Sequence, residues 1–454
     1  MISARRTQPT TECHSMRIDT KTQFSKLTRR SGHLRFADSA QLCLKYVMNN
    51  CLITNFAMSD RLEYILIYWP SMADSLVVIG TGYAGTKAVQ QLEQNTSGVN
   101  ITWIGENQYH LVLHESHRII RDPTIRQKIT IPVKNIKSTD TNFIEGEVTN
   151  IDTEARSVEL SNGNTIPYDY VLVAIGSQTA HYGIPGLNDY SVTLKSLEDA
   201  LTIHKRIFTE TNLESSEKPT QVLIGGAGLS GIQVAGEVAK LRDEAGISIE
   251  ITLLEALDEI LPGHSSDLQK SVRKQLIKAD IDIRTGNPLS KAGDEYIHLK
   301  NDKKLSYDIL IWTGGITGHD IMESIDVEKE HNRIKTDTTF KTSDDRIFTV
   351  GDAALVENGE NPVPPTAQAA WQAADVAANN IERSLQNKPL RHWTYEDKGT
   401  LISIGDKAIA HNVSNIPFST FGSYPAQFLK KFVAARWIAG LTSWYHASSA
   451  WSVL

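Results

Sequence analysis

Short apolar runs punctuate this chain, and several of them stop at glycine. Leu76-Val-Val-Ile, Ile101-Thr-Trp-Ile, Val222-Leu-Ile, Ile251-Thr-Leu-Leu and Ile347-Phe-Thr-Val are each four to eight residues or shorter, unbroken by charge. Such runs predict strands buried on both faces, as in a parallel sheet covered by helices. Between them lie segments with helical spacing. Residues 194–208 predict an amphipathic helix, and Pro364-Pro-Thr followed by a small-residue run to Asn380 predicts another, opening at Thr366. Residues 143–176 alternate in the two-residue period of strands, with Asn162-Gly163 as a hairpin turn and Tyr168 to Ile175 as a buried strand. The pattern as a whole is α/β.

Two of the strand-to-helix junctions carry the spacing G-x-G-x-x-G. The first has Gly80, Gly82 and Gly85, and the second Gly226, Gly228 and Gly231. The first glycine of each set permits a tight turn, the second lets a pyrophosphate approach the backbone, and the third lets helix and strand pack closely. A helix N-terminus then offers unpaired N–H groups and a positive dipole end to the phosphates. Each unit ends on an acid after its second strand, Glu106 and Glu255. Glu255 follows the first glycine of its set by 29 residues, somewhat beyond the usual spacing. Its carboxylate suits two ribose hydroxyls and repels a 2′-phosphate, so NADH is favoured over NADPH.

The duplication extends beyond the loops. Ile166-Pro-Tyr-Asp-Tyr-Val-Leu-Val-Ala-Ile-Gly, ending at Gly176, matches Leu305-Ser-Tyr-Asp-Ile-Leu-Ile-Trp-Thr-Gly-Gly, ending at Gly315. Two dinucleotide-binding units need two nucleotides, and FAD with NADH is the economical pairing. Gly183-Ile-Pro-Gly reads as a linker into the second unit, and Arg346-Ile-Phe-Thr-Val-Gly-Asp-Ala returns the chain to the first. Asp352 at the end of that last strand can hold a ribitol hydroxyl of FAD or cap a helix. The expected domains are an N-terminal extension over 1–71, an FAD-binding domain over 72–190 and 319–400, an NADH-binding domain over 191–318, and a C-terminal region over 401–454.

Composition narrows the reading. The net charge of −7 is unevenly spread. Residues 1–71 hold ten Lys/Arg and five Asp/Glu, leaving 36 against 48 elsewhere, a body at −12 that argues against nucleic acid as partner. Cys13, Cys43 and Cys51 all precede Met72, which excludes a redox cysteine pair, an iron–sulfur cluster or a disulfide framework in the body. No apolar run of eighteen residues predicts a membrane span. The basic, Ser/Thr-rich N-terminus has a transit-peptide flavour spoiled by Glu12 and Asp19, and is expected to be dispensable. His110, His114 and His117 lack a metal-binding motif and are expected in a polar loop and helix near the flavin, with no metal.

With these pieces assembled, residues 74–454 resemble the type II NADH:quinone oxidoreductases, single-chain FAD enzymes of the glutathione-reductase-like class. The resemblance rests on Ile-Gly-Thr-Gly-Tyr-Ala-Gly, Asn-Gln-Tyr-His, Leu-Lys-Ser-Leu-Glu-Asp-Ala, Val-Ala-Gly-Glu, Ile-Trp-Thr-Gly-Gly, Val-Gly-Asp-Ala and Pro-Pro-Thr-Ala-Gln-Ala-Ala-Trp-Gln. It implies that the NADH domain is inserted in the FAD domain and that electrons pass to a membrane quinone. The implied cofactor positions are Gly80, Gly82, Tyr83, Ala84, Gly85, Glu106, Asn107, Val148, Gly176, Gly226, Gly228, Gly231, Glu255, Gly315, Gly351, Asp352, Ala367 and Gln368. The family's A-Q-x-A-x-Q pattern makes Gln368 and Gln372 candidate quinone contacts, the alternative being two residues on one helix face packed against a loop, and Lys398 of Asp-Lys-Gly would lie near flavin or quinone. Three departures stand out. The run after His110 differs from the family's, Gln233 replaces a common Glu, and Ala353 stands where several members have Cys.

The tail is expected to lie on a membrane surface. Tyr424 to Leu441 repeats apolar residues at helical spacing beside Lys430, Lys431 and Arg436, and Trp437, Trp444 and Trp451 would form one stripe of a continuous helix. A peripheral protein on the cytoplasmic face of a cell membrane, or the matrix side of an organelle membrane, is implied. A helix packed on its own domain or in a homodimer interface is the alternative for the tail. Rival functions are a soluble NADH-dependent reductase of ferredoxin or another acceptor, and a non-turnover NADH-sensing flavoprotein. Sulfide:quinone chemistry is excluded by the missing cysteines.

Overall fold

In the computed structural model, residues 74–211, 218–356 and 363–454 are described. The extension expected over 1–71 lies outside them. Two five-stranded parallel sheets carry the body. The first runs Ile347–Thr349, Tyr170–Val173, Ser75–Ile79, Asn100–Gly105, Asn142–Glu145. The second runs Ser191–Val192, Ile309–Trp312, Thr220–Gly225, Ile249–Leu254, Ile281–Arg284. The sequence duplication is therefore a duplication of topology. In each sheet the chain leaves a central strand for neighbours on one side and later returns to the other side. The glycine loops sit at that reversal, where open α/β sheets bind ligands. Leu76, Val77 and Val78 are all fully buried, as a strand covered on both faces requires.

Helices follow the strands as the pattern predicts, with shifted ends. The helix expected over 194–208 spans Leu197–Thr211. Asp199 accepts from the N–H groups of Lys195 and Ser196, which holds those residues in a capping turn outside the helix. The Ala367–Leu385 helix opens where expected, with Thr366 Oγ1 accepting from the Ala369 N–H at 3.2 Å. Its buried alanines, Ala369 to Ala378, let it pack closely against the first glycine-loop helix, Tyr83–Asn95. Asn162-Gly163 turns a hairpin between Ser157–Leu160 and Thr165–Pro167, with Gly163 at φ +84°.

The C-terminal region departs from expectation. A three-stranded antiparallel sheet, Thr400–Ile404, Lys407–His411 and Thr420–Gly422, precedes the helix Tyr424–Leu441. That helix ends at Thr442, and Ser443 caps a separate helix, Trp444–Ala450. The tryptophan stripe assumed one continuous helix, and the break at Thr442-Ser443 removes it. Trp437 turns inward, Trp451 packs edge-on against Phe428, and only Trp444 is well exposed, at 61%. Lys430, expected as a surface cation, is buried. Among the described residues no helix is long and apolar enough to cross a membrane.

Candidate functional site

The six motif glycines divide by what a side chain would meet. A Cβ on Gly80 (φ +109°) would stand 2.3 Å from the Ala174 carbonyl oxygen, and one on Gly85 2.1 Å from that of Gly80. Gly226 (φ +94°) and Gly231 repeat this, at 2.7 Å from Gly314 Cα and 1.9 Å from the Gly226 oxygen. These four are glycine because the protein fills the space beside them. Gly82 and Gly228 differ. Their φ values of −72° and −78° suit any residue, and a Cβ on either would meet nothing within 4 Å. No side chain caps either helix and no acid lies in either first turn. An open cradle, uncapped N–H groups and a positive helix end fit the pyrophosphate of a dinucleotide at each loop.

The acids at the strand ends lie beside these loops. Glu106 is exposed and Asn107 half-buried. Glu255 is buried, and its carboxylate accepts from the Ala227 N–H at 2.7 Å and the Leu257 N–H at 3.0 Å. Its negative charge is thus fixed against the second glycine loop. Val148 opens a strand at a register shift opposite Leu160 and is half-buried. Gly176 (φ +80°) faces open space, while a Cβ on Gly351 (φ +75°) would stand 3.0 Å from that of Ala84. Gly315 (φ +131°) lies under the Tyr182 hydroxyl, which a Cβ there would strike at 1.9 Å.

Asp352 sits in the short turn Gly351–Ala353, and its Oδ2 accepts from Ser177 Oγ at 2.9 Å. Lys195 Nζ donates to the same Ser177 Oγ at 3.0 Å. Burial lowers the Lys195 pKa, opposed by Asp352 and Asp199. Lys195 joins this candidate site through Ser177 and is not among the positions expected from the sequence. It was visible within Leu-Lys-Ser-Leu-Glu-Asp-Ala, at the entry from one unit to the other, but nothing in that motif says which way its side chain points. Arg333 joins this group by donating Nε to the Asp352 carbonyl at 2.9 Å. Gly351, Asp352, Arg333, Thr366 and Ala369 line one cleft.

Gln368 and Gln372 share a helix face, as their spacing predicts, and both amides hold the segment 395–397. Gln368 Nε2 donates to Tyr395 Oη at 2.8 Å, and Gln372 Nε2 to the Glu396 carbonyl at 2.9 Å. Lys398 is half-exposed, with Nζ 3.5 Å from Glu396. Trp371, between the two glutamines, stacks on Trp437 at 5.1 Å and 20° and meets Tyr83 at 6.2 Å. The first loop, the glutamine helix and the C-terminal helix therefore converge on one aromatic cluster.

The histidine segment, expected as a polar loop and helix, includes a helix, but a buried one. Leu113–Ile120 is a 3-10 helix in which Glu115, His117 and Arg118 are buried. His110 donates Nδ1–H to the Thr81 carbonyl at 2.8 Å and accepts from Trp437 Nε1 at 2.9 Å, so it is neutral. Burial pushes its pKa down to about 4. His117 Nε2 lies 2.9 Å from Ser403 Oγ, which also accepts from Gln233 Nε2 at 3.2 Å. Among the described residues no group of histidines, cysteines and acids could hold a metal ion.

Two matched loops at two sheet reversals define a protein with two dinucleotide-binding units in one chain. A family model described as pyridine nucleotide-disulphide oxidoreductase matches residues 74–374, and the chain belongs to that family. The type II NADH:quinone oxidoreductase of Staphylococcus saprophyticus is 27% identical over 384 residues, covering 80% of this chain and 94% of that protein. The protein of the same name from Staphylococcus haemolyticus is 29% identical over the same span. Among solved structures, NDH2 from Plasmodium falciparum in complex with NADH superposes with a TM-score of 0.71 at 17% identity, over 84% of this chain and 98% of that one. The sulfide:quinone oxidoreductase of Aquifex aeolicus gives 0.69 at 19% identity, over 81% and 91%.

Proposed function

We infer that the chain is an FAD-dependent NADH:quinone oxidoreductase of type II. The carrying observation is the pair of open glycine cradles in a body without cysteine. Two nucleotide sites in one chain support hydride transfer, and the lack of cysteine leaves no thiol relay, so electrons pass directly from cofactor to acceptor. The curated relatives bearing this name are matched over nearly their whole length. Flavin, when bound, takes a hydride from NADH and passes two electrons on.

The residues take the following roles in this reading. N–H groups beyond Gly82 and Gly228 bind the two pyrophosphates. Glu106 and Glu255 hold ribose hydroxyls, and Asp352, oriented by Ser177 and Lys195, holds the ribitol. Asn107, Val148, Gly176, Gly351 and Ala367 shape the flavin side, and Gly315 the nicotinamide side. The N-terminus of the Thr366-capped helix presents its dipole to the flavin ring. Gln368, Gln372 and Lys398 border the quinone site, and its occupation would loosen their hold on the segment 395–397. In this reading the second unit, over 191–318, is inserted between 72–190 and 319–400 of the first.

The quinone is lipid-borne, and the protein docks on a membrane through the tail. Tyr424, Phe428, Phe432, Trp444 and Tyr445 are 84%, 60%, 39%, 61% and 80% exposed and share the two terminal helices. Aromatic residues at this density suit the interface of a bilayer. The membrane face is the cytoplasmic one, or the matrix face in an organelle, where NADH is found. A homodimer through the same aromatic face is the competing reading, and sedimentation in the absence of lipid separates the two.

The test is NADH oxidation by purified protein with a quinone, ferricyanide and ferredoxin compared side by side as acceptors, and with sulfide supplied in place of NADH as the donor. Quinone-dependent turnover is expected, and turnover with ferredoxin alone, or none with any acceptor, overturns the reading. NADH is expected to exceed NADPH in kcat/KM by tenfold or more, because Glu255 presents a fixed charge to the 2′-phosphate, on the order of 1.4 kcal/mol. Equal values would remove Glu255 from that role.

A further inference from the structure

A buried ionic cluster beneath the C-terminal helix is used by none of these roles. Glu115 lies between Arg118, at 2.5 Å, and Lys430, which comes from the helix Tyr424–Leu441. Arg118 also faces Glu237, on the second glycine-loop helix, at 3.8 Å, and Arg121 reaches Glu237 at 3.1 Å. His117 completes the ring against Ser403. His114 stands at its edge. Its Nδ1 shares a hydrogen bond with the Tyr83 hydroxyl, and its Nε2 has no hydrogen-bond partner and stands 3.6 Å from Glu115. Lys430 lines a cavity of about 260 Å³ together with Arg118, Ser403, Asp406 and Lys431.

These groups make one file: cavity, Lys430, Glu115, His114, Tyr83. Its far end directly follows Gly82 and touches Trp371, the residue between Gln368 and Gln372. A buried ion pair is weak evidence for stability, since desolvation offsets most of its attraction. A cluster that leaves an imidazole nitrogen unpaired is a poor structural device. We propose that Lys430, Glu115, His114 and Tyr83 form a proton-delivery path from this cavity to the acceptor side of the flavin site. It rests on the NADH:quinone reading above.

The overall reaction takes NADH, one proton and a quinone to NAD+ and a quinol. Two electrons and one of the quinol's protons balance the hydride given up by NADH, and the second proton comes from water. The Tyr83 hydroxyl gives that proton to the quinone oxygen as His114 Nδ1–H replaces it. His114 Nε2 is refilled from the Glu115–Lys430 pair, and that pair from water in the cavity, and a turn of the imidazole ring then brings a protonated nitrogen back to Tyr83. Burial raises the Tyr83 pKa, so the phenol passes a proton only as it receives one. Burial also opposes charge on Glu115, yet Lys430 and Arg118, with His114 and His117, hold its carboxyl well below the usual range. Glu115 therefore transmits a proton between Lys430 and His114 without storing it.

The experiment uses the FAD-loaded full chain, with His114→Gln and Glu115→Gln, and Glu115→Gln/Lys430→Met as the charge-balanced variant should the single change unfold. Bleaching of flavin absorbance by NADH is followed first. Its recovery is then followed with a short-chain quinone or with ferricyanide, which takes electrons and no proton. The variants should recover with quinone roughly tenfold or more slowly, with a larger solvent isotope effect, while bleaching and ferricyanide recovery stay within about twofold. A second readout needs no turnover: in 15N-histidine-labelled protein, the imidazole signal lost in His114→Gln should carry its proton on Nδ1. Equal slowing with both acceptors, unchanged quinone recovery, or a proton on Nε2 overturns the path. Wild-type protein bleached by NADH that no quinone restores would instead overturn the reaction on which it rests.

Discussion

Gly228→Ala separates binding from folding. Gly228 has φ −78° and ψ −170°, which alanine adopts without strain, and a Cβ there meets nothing within 4 Å. Two small terms act on stability. Alanine is a poorer N-cap by a few tenths of a kcal/mol, and losing glycine freedom in the unfolded chain stabilises by about 0.4–1 kcal/mol. The net change should lie within ~0.5 kcal/mol of zero. Binding should suffer much more. The new methyl occupies the cradle where a pyrophosphate meets the helix N–H groups, and losing one charge-assisted hydrogen bond costs about 1.5–3 kcal/mol. That is a rise in the NADH Kd of roughly ten- to a hundredfold. Gly231→Ala is the contrast, because its Cβ would lie 1.9 Å from the Gly226 oxygen and 2.8 Å from Thr313 Oγ1. It should destabilise the fold by about 1–3 kcal/mol. Urea melts, flavin absorbance and NADH titration on the purified variants give all the quantities. An unchanged NADH Kd in Gly228→Ala, or loss of its flavin, would refute the assignment of the second loop to NADH.

Acid should destabilise the protein well above the carboxylate range. Burial lowers the pKa of His110 and His114 to about 4 each, so folding favours their neutral forms. The stability is complete above the unfolded value near 6.5 and is lost as pH falls from there toward the folded values, about 2 kcal/mol per histidine between pH 7 and 5. His117, whose pKa burial also lowers, adds in the same direction. Urea melts at the two pH values check this, and a stability that holds or rises at pH 5 contradicts it. Phe428→Ser with Trp444→Ser and Tyr445→Ser should release the protein from lipid vesicles and leave ferricyanide turnover intact. Continued vesicle binding by that triple variant would place the docking surface elsewhere.

What was legible in the sequence is what the backbone demands locally. Gly80, Gly85, Gly226 and Gly231 are forced by positive φ or by a neighbouring carbonyl, so their spacing survives as a pattern. The repeated strand before Gly176 and Gly315 is legible for the same reason. The tail was misread because a seven-residue spacing says nothing about whether the helix continues, and Thr442-Ser443 ends it. The spacing of Gln368 and Gln372 put them on one face without saying that Tyr395 and Glu396 cover it. The ionic cluster could not be read at all. Glu115 and Lys430 are 315 positions apart, and each alone looks like an ordinary surface charge.

The same long separation explains why the C-terminal helix cannot be treated as an appendage. Its inward face supplies Lys430 to Glu115, Trp437 to His110 and Trp371, and Ile438 and Leu441 to the core around the first sheet. Its outward face carries Tyr424, Phe428 and Phe432. Deleting 424–454 would therefore take one of the two close cations from the buried Glu115 carboxylate, leaving Arg118, and would open the aromatic cluster, so the truncated protein should be less stable. A truncated protein that failed to bind membranes would say nothing about the membrane face. Only substitutions confined to the outward aromatics can, because they leave the inward contacts in place. One helix thus ties the surface proposed to meet lipid to the residues proposed to border the acceptor site, and the two proposals have to be tested face by face.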